Sequence, residues 1–304
     1  MNLTPLTLSD ARRLLSFFDH QSYELCEYTL PSILAWLDDD YQPLGYILNN
    51  DTLVICSEFA VSKEYRHLLL PISPVREFCP RDLQDLALNL EREAFWFVPE
   101  HYIRKYGRQE VAAYFNISEH AGHADYIYQT EDLAELKGNR YSKKRNLIHQ
   151  FERQYLHPGR VELAPITPGT ESECIDFIEK WCDAYPCEIE SDVELVCEKQ
   201  AVLCSIQNIE LLKLDSILMR IDGEISALAM GTRLTDIMGV LHFEKAHTHI
   251  KGLYQYLDRE CARRMFKGYP YLNKESDMDV PGLVQAKKSY HPLKIMKSYQ
   301  LTLR

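Results

Sequence analysis

The chain contains no run of about 18 consecutive apolar residues, so no bilayer-spanning helix is expected. Its first residues, MNLTPLTLSDARRLLSFFDH, lack a basic stretch followed by an apolar core, which argues against a secretory signal. Cys-x-x-Cys is absent, and the nine cysteines are odd in number and mostly set inside apolar patterns. Reduced, buried thiols in a cytoplasmic protein are the reading that follows. The pairs His120/His123 and His247/His249 have no cysteine or carboxylate cluster of metal-binding spacing beside them, so no metal is expected. Positive charge is also scarce: 34 Lys and Arg stand against 45 Asp and Glu, a net charge of −11. That balance excludes a protein that coats nucleic acid by neutralising phosphates, but it leaves room for a local basic site.

A length of 304 residues favours two domains. Ser9 or Asp10 starts a helix that buries Leu14, Leu15, Phe17 and Phe18. QPLGYILNN, TLVICSEFAV and RHLLLPISP read as strands, followed by a helix that Pro80 opens. FWFVPE, a short helix EHYIRKYG, and the extended runs VAAYFNIS and ADYIYQT complete the first half. The second half repeats that order of elements, with a second helix expected over ELVCEKQAVLCSIQNIELL. Its plainest signal is DSILMRIDGEISALAMGTRL, two apolar runs around Asp222-Gly223, which predicts a hairpin. PGLVQAKKSY reads as a helix and LKIMKSYQLTL as a closing strand. The expected domains are 1–140 and 141–304.

One segment departs from the acidic average. Residues 137–160 hold seven Lys or Arg and a single acid, Glu152. As one helix over 141–156, it places Tyr141, Ile148, Phe151 and Tyr155 on one stripe, with Lys143, Asn146 and Arg153 opposite. Lys144 projects about 20° and Arg145 about 80° from the stripe's centre, on the side where a charge must snorkel, pair or line a pocket. Either this is a solvated linker helix, or Lys144 and Arg145 face an anion held between domains.

DYIYQTEDLAELKGNRYSKKRNLIHQF, LHFEKAHTHIKGLYQYLDRE and YLNKESDMDVPGLVQAKKSYHPLK resemble bacterial proteins related to the C-terminal domain of phosphatidylglycerol lysyltransferases. The resemblance implies an α+β chain with two tandem GNAT-like (acyl-CoA N-acyltransferase) domains, each a mostly antiparallel twisted sheet flanked by helices. It also implies acyl or aminoacyl transfer from a charged tRNA or a coenzyme A thioester. The acceptor would be an amine or hydroxyl on a small molecule or lipid precursor, with no permanently bound cofactor. Where the family pattern runs N-R-E-x-D-x-G-x-x-G-L-R, this chain has Lys274, Asp279 and Val284 in place of Arg, Gly and Arg.

Such transfer needs a base, an acid and a cradle for the donor's phosphates. Glu244 is the candidate base and Tyr290 the candidate acid. Lys251, Gly252 and Leu253 stand where a donor loop meets a helix N-terminus, although Tyr254 replaces the usual second small residue. Asn273 joins them as a candidate donor contact. Lys143, Lys144, Arg145, Asn146, His242 and Lys287 are the candidate substrate or anion contacts. His242 and Glu244, two apart on a strand, are expected on one side. PISPVREFCPRDL, the corresponding place in the first half, has no glycine, so the donor site is assigned to the second half. A ligand-binding or regulatory module that keeps the fold without turnover is the alternative.

Overall fold

The computed structural model describes residues 2–60, 65–184 and 198–304. Among the described residues, fourteen strands form two seven-stranded sheets. In the first half lie β1 (Thr4–Pro5), β2 (Tyr41–Leu48), β3 (Thr52–Phe59), β4 (His67–Leu68), β5 (Ala94–Pro99) and β6 (Phe115–Glu119). There follow β7 (Asp125–Gln129), β8 (Val161–Ala164), β9 (Asp215–Ile221), β10 (Glu224–Thr235) and β11 (Met238–Ala246). β12 (Tyr271–Asn273), β13 (Lys294–Met296) and β14 (Ser298–Leu303) complete the set. The first sheet runs β1-β2-β3-β4-β5-β14-β6 and the second β13-β7-β12-β11-β10-β9-β8. Each sheet has one parallel pair, β4 with β5 and β11 with β12, and is otherwise antiparallel. The expected α+β architecture of two mostly antiparallel sheets flanked by helices is therefore present.

The sheets exchange strands. Sheet membership changes between β6 and β7, ahead of the expected division at 140/141, and β14 returns from the far end of the chain to lie between β5 and β6. The closing run LKIMKSYQLTL is accordingly two strands, one in each sheet, rather than one. An apolar cluster spreads across both sheets, from Leu30 and Phe95 to Leu228, Phe243 and Leu301. A smaller one, with Tyr128, Tyr141, Phe151, Leu257 and Phe266, lies under the helices Ser142–Phe151 and Leu253–Glu260.

Local signals held where chemistry is strict. Thr7 and Asp10 form a reciprocal cap, and Leu14 and Phe17 are buried beyond it. Asp222 and Gly223, at φ 53° and 85°, make the turn between β9 and β10, as a two-residue hairpin of this twist requires. The basic segment is a 3-10 turn, the helix Ser142–Phe151 and a π turn to Leu156. Two strand readings fail. In RHLLLPISP only His67–Leu68 pairs as a strand, because Pro71 and Pro74 cannot donate to a ladder. VAAYFNIS is half helix: Arg108–Tyr114 is helical, with Val111 buried, before β6 begins. Of the second expected helix, Glu198–Gln207 is observed, and the part before residue 198 lies outside the described residues.

Gly231 and Gly239, on neighbouring strands, let the Phe266 ring lie against the second sheet. A Cβ at Gly239 would stand 2.2 Å from the ring and one at Gly231 2.7 Å from it. Gly239→Ala is therefore expected to cost about 1–3 kcal/mol through overpacking. Thermal unfolding measures this, and an unchanged melting temperature would contradict the packing argument.

Candidate active site in the wedge between two parallel strands

β11 and β12 pair only from Met238–Val240 to Tyr271–Asn273. Beyond Asn273 the chain stays with β7, as the Lys274 N–H donates to the Tyr126 carbonyl at 3.0 Å. The two strands thus part, and the opening is filled by polar side chains. A bulge aims one of them. The β10–β11 register steps from Met230↔Phe243 to Gly231↔Leu241, which leaves His242 as the extra residue. The bulge shifts the alternation, so Leu241 and Ala246 join the smaller apolar cluster while Phe243 joins the larger.

Glu244 and His242 consequently serve different groups, contrary to the two-residue spacing argument. His242 Nδ1 meets Glu275 Oε1 at 2.7 Å and its Nε2 lies 3.3 Å from Thr29 Oγ1. Glu244 Oε2 instead accepts from Lys274 Nζ at 3.3 Å, and the same ammonium donates to Asp258 Oδ1 at 2.7 Å. Glu244 Oε1 is buried with no hydrogen-bond partner, although the side chain as a whole keeps 17% of its exposure. Tyr290 is buried beside them, and Lys144 Nζ sits 3.8 Å from its ring centroid while donating to Ser289 Oγ at 2.7 Å.

The charge states follow from burial and neighbours. Burial pushes Glu244 up to about 7, against the pull of Lys274 and with repulsion from Asp258 adding to it. Burial opposes the charge on Lys274, yet Asp258 and Glu244 hold it protonated above the usual lysine range. Burial, then Asp258 and Glu244, keep the Tyr290 phenol protonated well above its ordinary value. Burial draws Lys144 below the lysine range. The wedge thus contains a carboxyl balanced near neutrality, a permanent cation and a neutral phenol.

The remaining candidates are dispersed. Gly252 adopts φ 85°, and a Cβ there would meet the Leu147 carbonyl oxygen at 2.2 Å. The glycine thus lets the helix Ser142–Phe151 approach the start of Leu253–Glu260, with Leu253 fully buried and Lys251 exposed. Arg145 Nη1 donates to the Leu136 and Gly138 carbonyls, the latter at 2.6 Å, and so secures the turn before its own helix. Lys143 and Asn146 are exposed. Lys287 Nζ donates to the carbonyls of Lys274 (2.6 Å) and Ser276, holding the segment that follows β12. Asn273 is fully buried: its amide donates to the Glu24 carbonyl (3.0 Å) and Asp125 Oδ2 (2.6 Å), and its Oδ1 accepts from the Glu275 N–H (2.6 Å). The sequence reading missed Asp258. Its signal was an acid next to Leu257 on the buried stripe of a helix. Two surface pockets, of about 370 and 190 Å³, lie elsewhere, and neither includes Glu244, Gly252 or Tyr290.

Two strand-exchanged α+β sheets, with a charged wedge at the parallel pair of the second, define the class. The chain belongs to the family described as phosphatidylglycerol lysyltransferase, C-terminal, whose model matches residues 61–301. A conserved protein of unknown function from Bacteroides thetaiotaomicron VPI-5482 is 27% identical, with 100% of both chains covered and a TM-score of 0.86. The C-terminal domain of a putative lysylphosphatidylglycerol synthetase from Agrobacterium fabrum shares the fold at 13% identity, covering 97% of this chain and 92% of its own, with a TM-score of 0.68. No curated protein sequence matches the chain. Among the described residues no helix is long and apolar enough to cross a membrane.

Because the folded Glu244 carboxyl binds its proton more tightly than the ordinary value of 4.5, the folded state holds more protons between 4.5 and about 7. This group's contribution to stability therefore falls as pH rises through that window. Glu244→Gln is expected to flatten that part of the stability profile. Melting temperatures measured from pH 5 to 7 test this, and an unaltered slope would remove the assignment.

Proposed function

We propose that the protein is an acyl or aminoacyl transferase whose chemistry lies in the wedge between β11 and β12. The observation that carries this reading is Glu244: a carboxylate at the end of a bulged strand, titrating near neutrality, with one oxygen unpartnered. A general base works best with its pKa near the working pH. Glu244 takes the proton from the attacking amine or hydroxyl as that atom bonds to the acyl carbon of the donor. Tyr290, held as a neutral phenol, gives its proton to the departing thiolate or ribose hydroxyl as the bond to the acyl carbon breaks. Lys274 and Lys144 stabilise negative charge around that carbon.

Membership of the lysyltransferase-related family supports an aminoacyl donor carried on tRNA, with a coenzyme A thioester as the other candidate. A small-molecule or lipid-precursor acceptor and a cytoplasmic location accord with the same reading. A second reading, ligand binding without turnover, has its own support: the space above Gly252 is occupied by the Leu147 carbonyl, and Arg145 is committed to backbone.

Transfer of radiolabelled aminoacyl or acyl groups from charged tRNA and from acyl-coenzyme A separates the two. Glu244→Gln is expected to lower the rate ~10²-fold or more, and Tyr290→Phe to slow the step without changing donor affinity. With a tRNA donor, binding falls steeply as salt rises, because many phosphates are neutralised together. Donor binding with no transfer in any of these assays would favour the second reading.

A further inference from the structure

A second polar cluster lies where the halves meet, and the wedge chemistry does not use it. Cys26 and Glu27 are on the 3-10 turn Cys26–Tyr28 of the first half, and Asp125 opens β7 in the second sheet. One ligand atom from each of the three lies within 4.8 Å of the others. Cys26 and Asp125 are buried, and Glu27, partly exposed as a residue, carries an Oε2 that is buried with no hydrogen-bond partner. Among the described residues no lysine or arginine forms an ion pair with either carboxylate. Lys287 attracts Asp125 from a distance, but gives its hydrogens to the Lys274 and Ser276 carbonyls. Two adjacent acids with buried oxygens, and a third, Glu275, close by, require compensation.

We propose that Cys26, Glu27 and Asp125 bind one divalent cation of the zinc type, with water or a ligand in the fourth position. The donor set, one thiolate and two carboxylates, suits a borderline-soft ion better than magnesium or calcium. The geometry is close to that of a bound site. Sulfur at about 2.3 Å and oxygen at about 2.1 Å from a tetrahedral ion stand about 3.6 Å apart, and Cys26 Sγ lies 3.6 Å from Asp125 Oδ1. The other oxygen of Asp125 is already fixed by the Cys26 N–H at 2.7 Å and by Asn273 Nδ2 at 2.6 Å. Such outer contacts orient a ligating carboxylate, and its other oxygen, which accepts the Cys26 thiol, faces the ion once that proton is displaced. Binding displaces the thiol proton of Cys26, and any proton shared by the acids, to solvent. The ion cross-links the first half to β7.

The test is direct. The full chain, stripped with a chelator, is titrated with Zn²⁺ and separately with Co²⁺, and stoichiometry is read by elemental analysis. One equivalent of either ion is expected, Co²⁺ should give a thiolate charge-transfer absorption, and Zn²⁺ should raise the melting temperature. Cys26→Ser should abolish that absorption. Glu27→Gln keeps the side-chain shape and should lose the tight equivalent while melting no lower than the stripped parent. Failure of the stripped chain to bind either ion saturably overturns the proposal. So does binding of undiminished affinity in both variants.

Discussion

β7 is the strand on which the polar architecture depends. It lies between β12 and β13 in the second sheet, yet its first residue reaches back to the first half. Tyr126 takes the Lys274 N–H on its carbonyl and gives its hydroxyl to Asp277 at 2.5 Å. The Tyr128 hydroxyl donates to the Lys287 carbonyl, and Asp125 holds Asn273 and the backbone of Cys26. The segment after β12 is thereby kept with β7 rather than with β11. That choice of partner opens the wedge, and strands that stayed paired would leave no room for Glu244, Lys274 and Tyr290.

The two polar clusters face the same cost of burying charge and meet it differently. In the wedge, Lys274 sits between Glu244 and Asp258 and remains charged because two carboxylates outweigh its lost hydration. With one cation between two acids, one of those acids has no full counter-charge, and Glu244 is left near neutrality. At the junction of the halves the sign is opposite to the one the basic helix suggested. The acids that gather there are Glu27, Asp125 and Glu275, with Asn273 bonded to Asp125, His242 to Glu275, and apolar contact beyond them. Arg145, the cation closest in sequence to an interdomain role, stabilises a turn through backbone carbonyls instead.

The family motif gains a physical meaning in this frame. Asn273 satisfies the Glu24 carbonyl and the Asp125 carboxylate, Glu275 holds His242, and Asp277 takes the Tyr126 hydroxyl. These three residues bind the end of β12 to its surroundings. Lys274, between them, turns toward Asp258. A lysine where the motif has arginine still supplies a buried cation, though one without the planar fork that grips two oxygens at once.

Much of this was legible from residue order. Apolar periodicity gave the basic helix and its buried stripe, Asp222-Gly223 gave the hairpin, and the family resemblance, with which the order of elements agrees, implied two sheets. Glu244, Tyr290 and Lys144 were candidates picked from the sequence, and the fold brings them near one another. Local pattern could not show that β14 crosses to the first sheet, because an edge and a central strand present the same alternation. Nor could it place the bulge at His242, since one unpaired residue leaves no trace until its partner strand is known. The roles of Gly252 and Arg145 were likewise hidden. Whether a glycine admits a ligand or a neighbouring helix, and whether a cation meets an anion or a carbonyl, depends on which distant backbone arrives there, and folding alone brings that backbone into place.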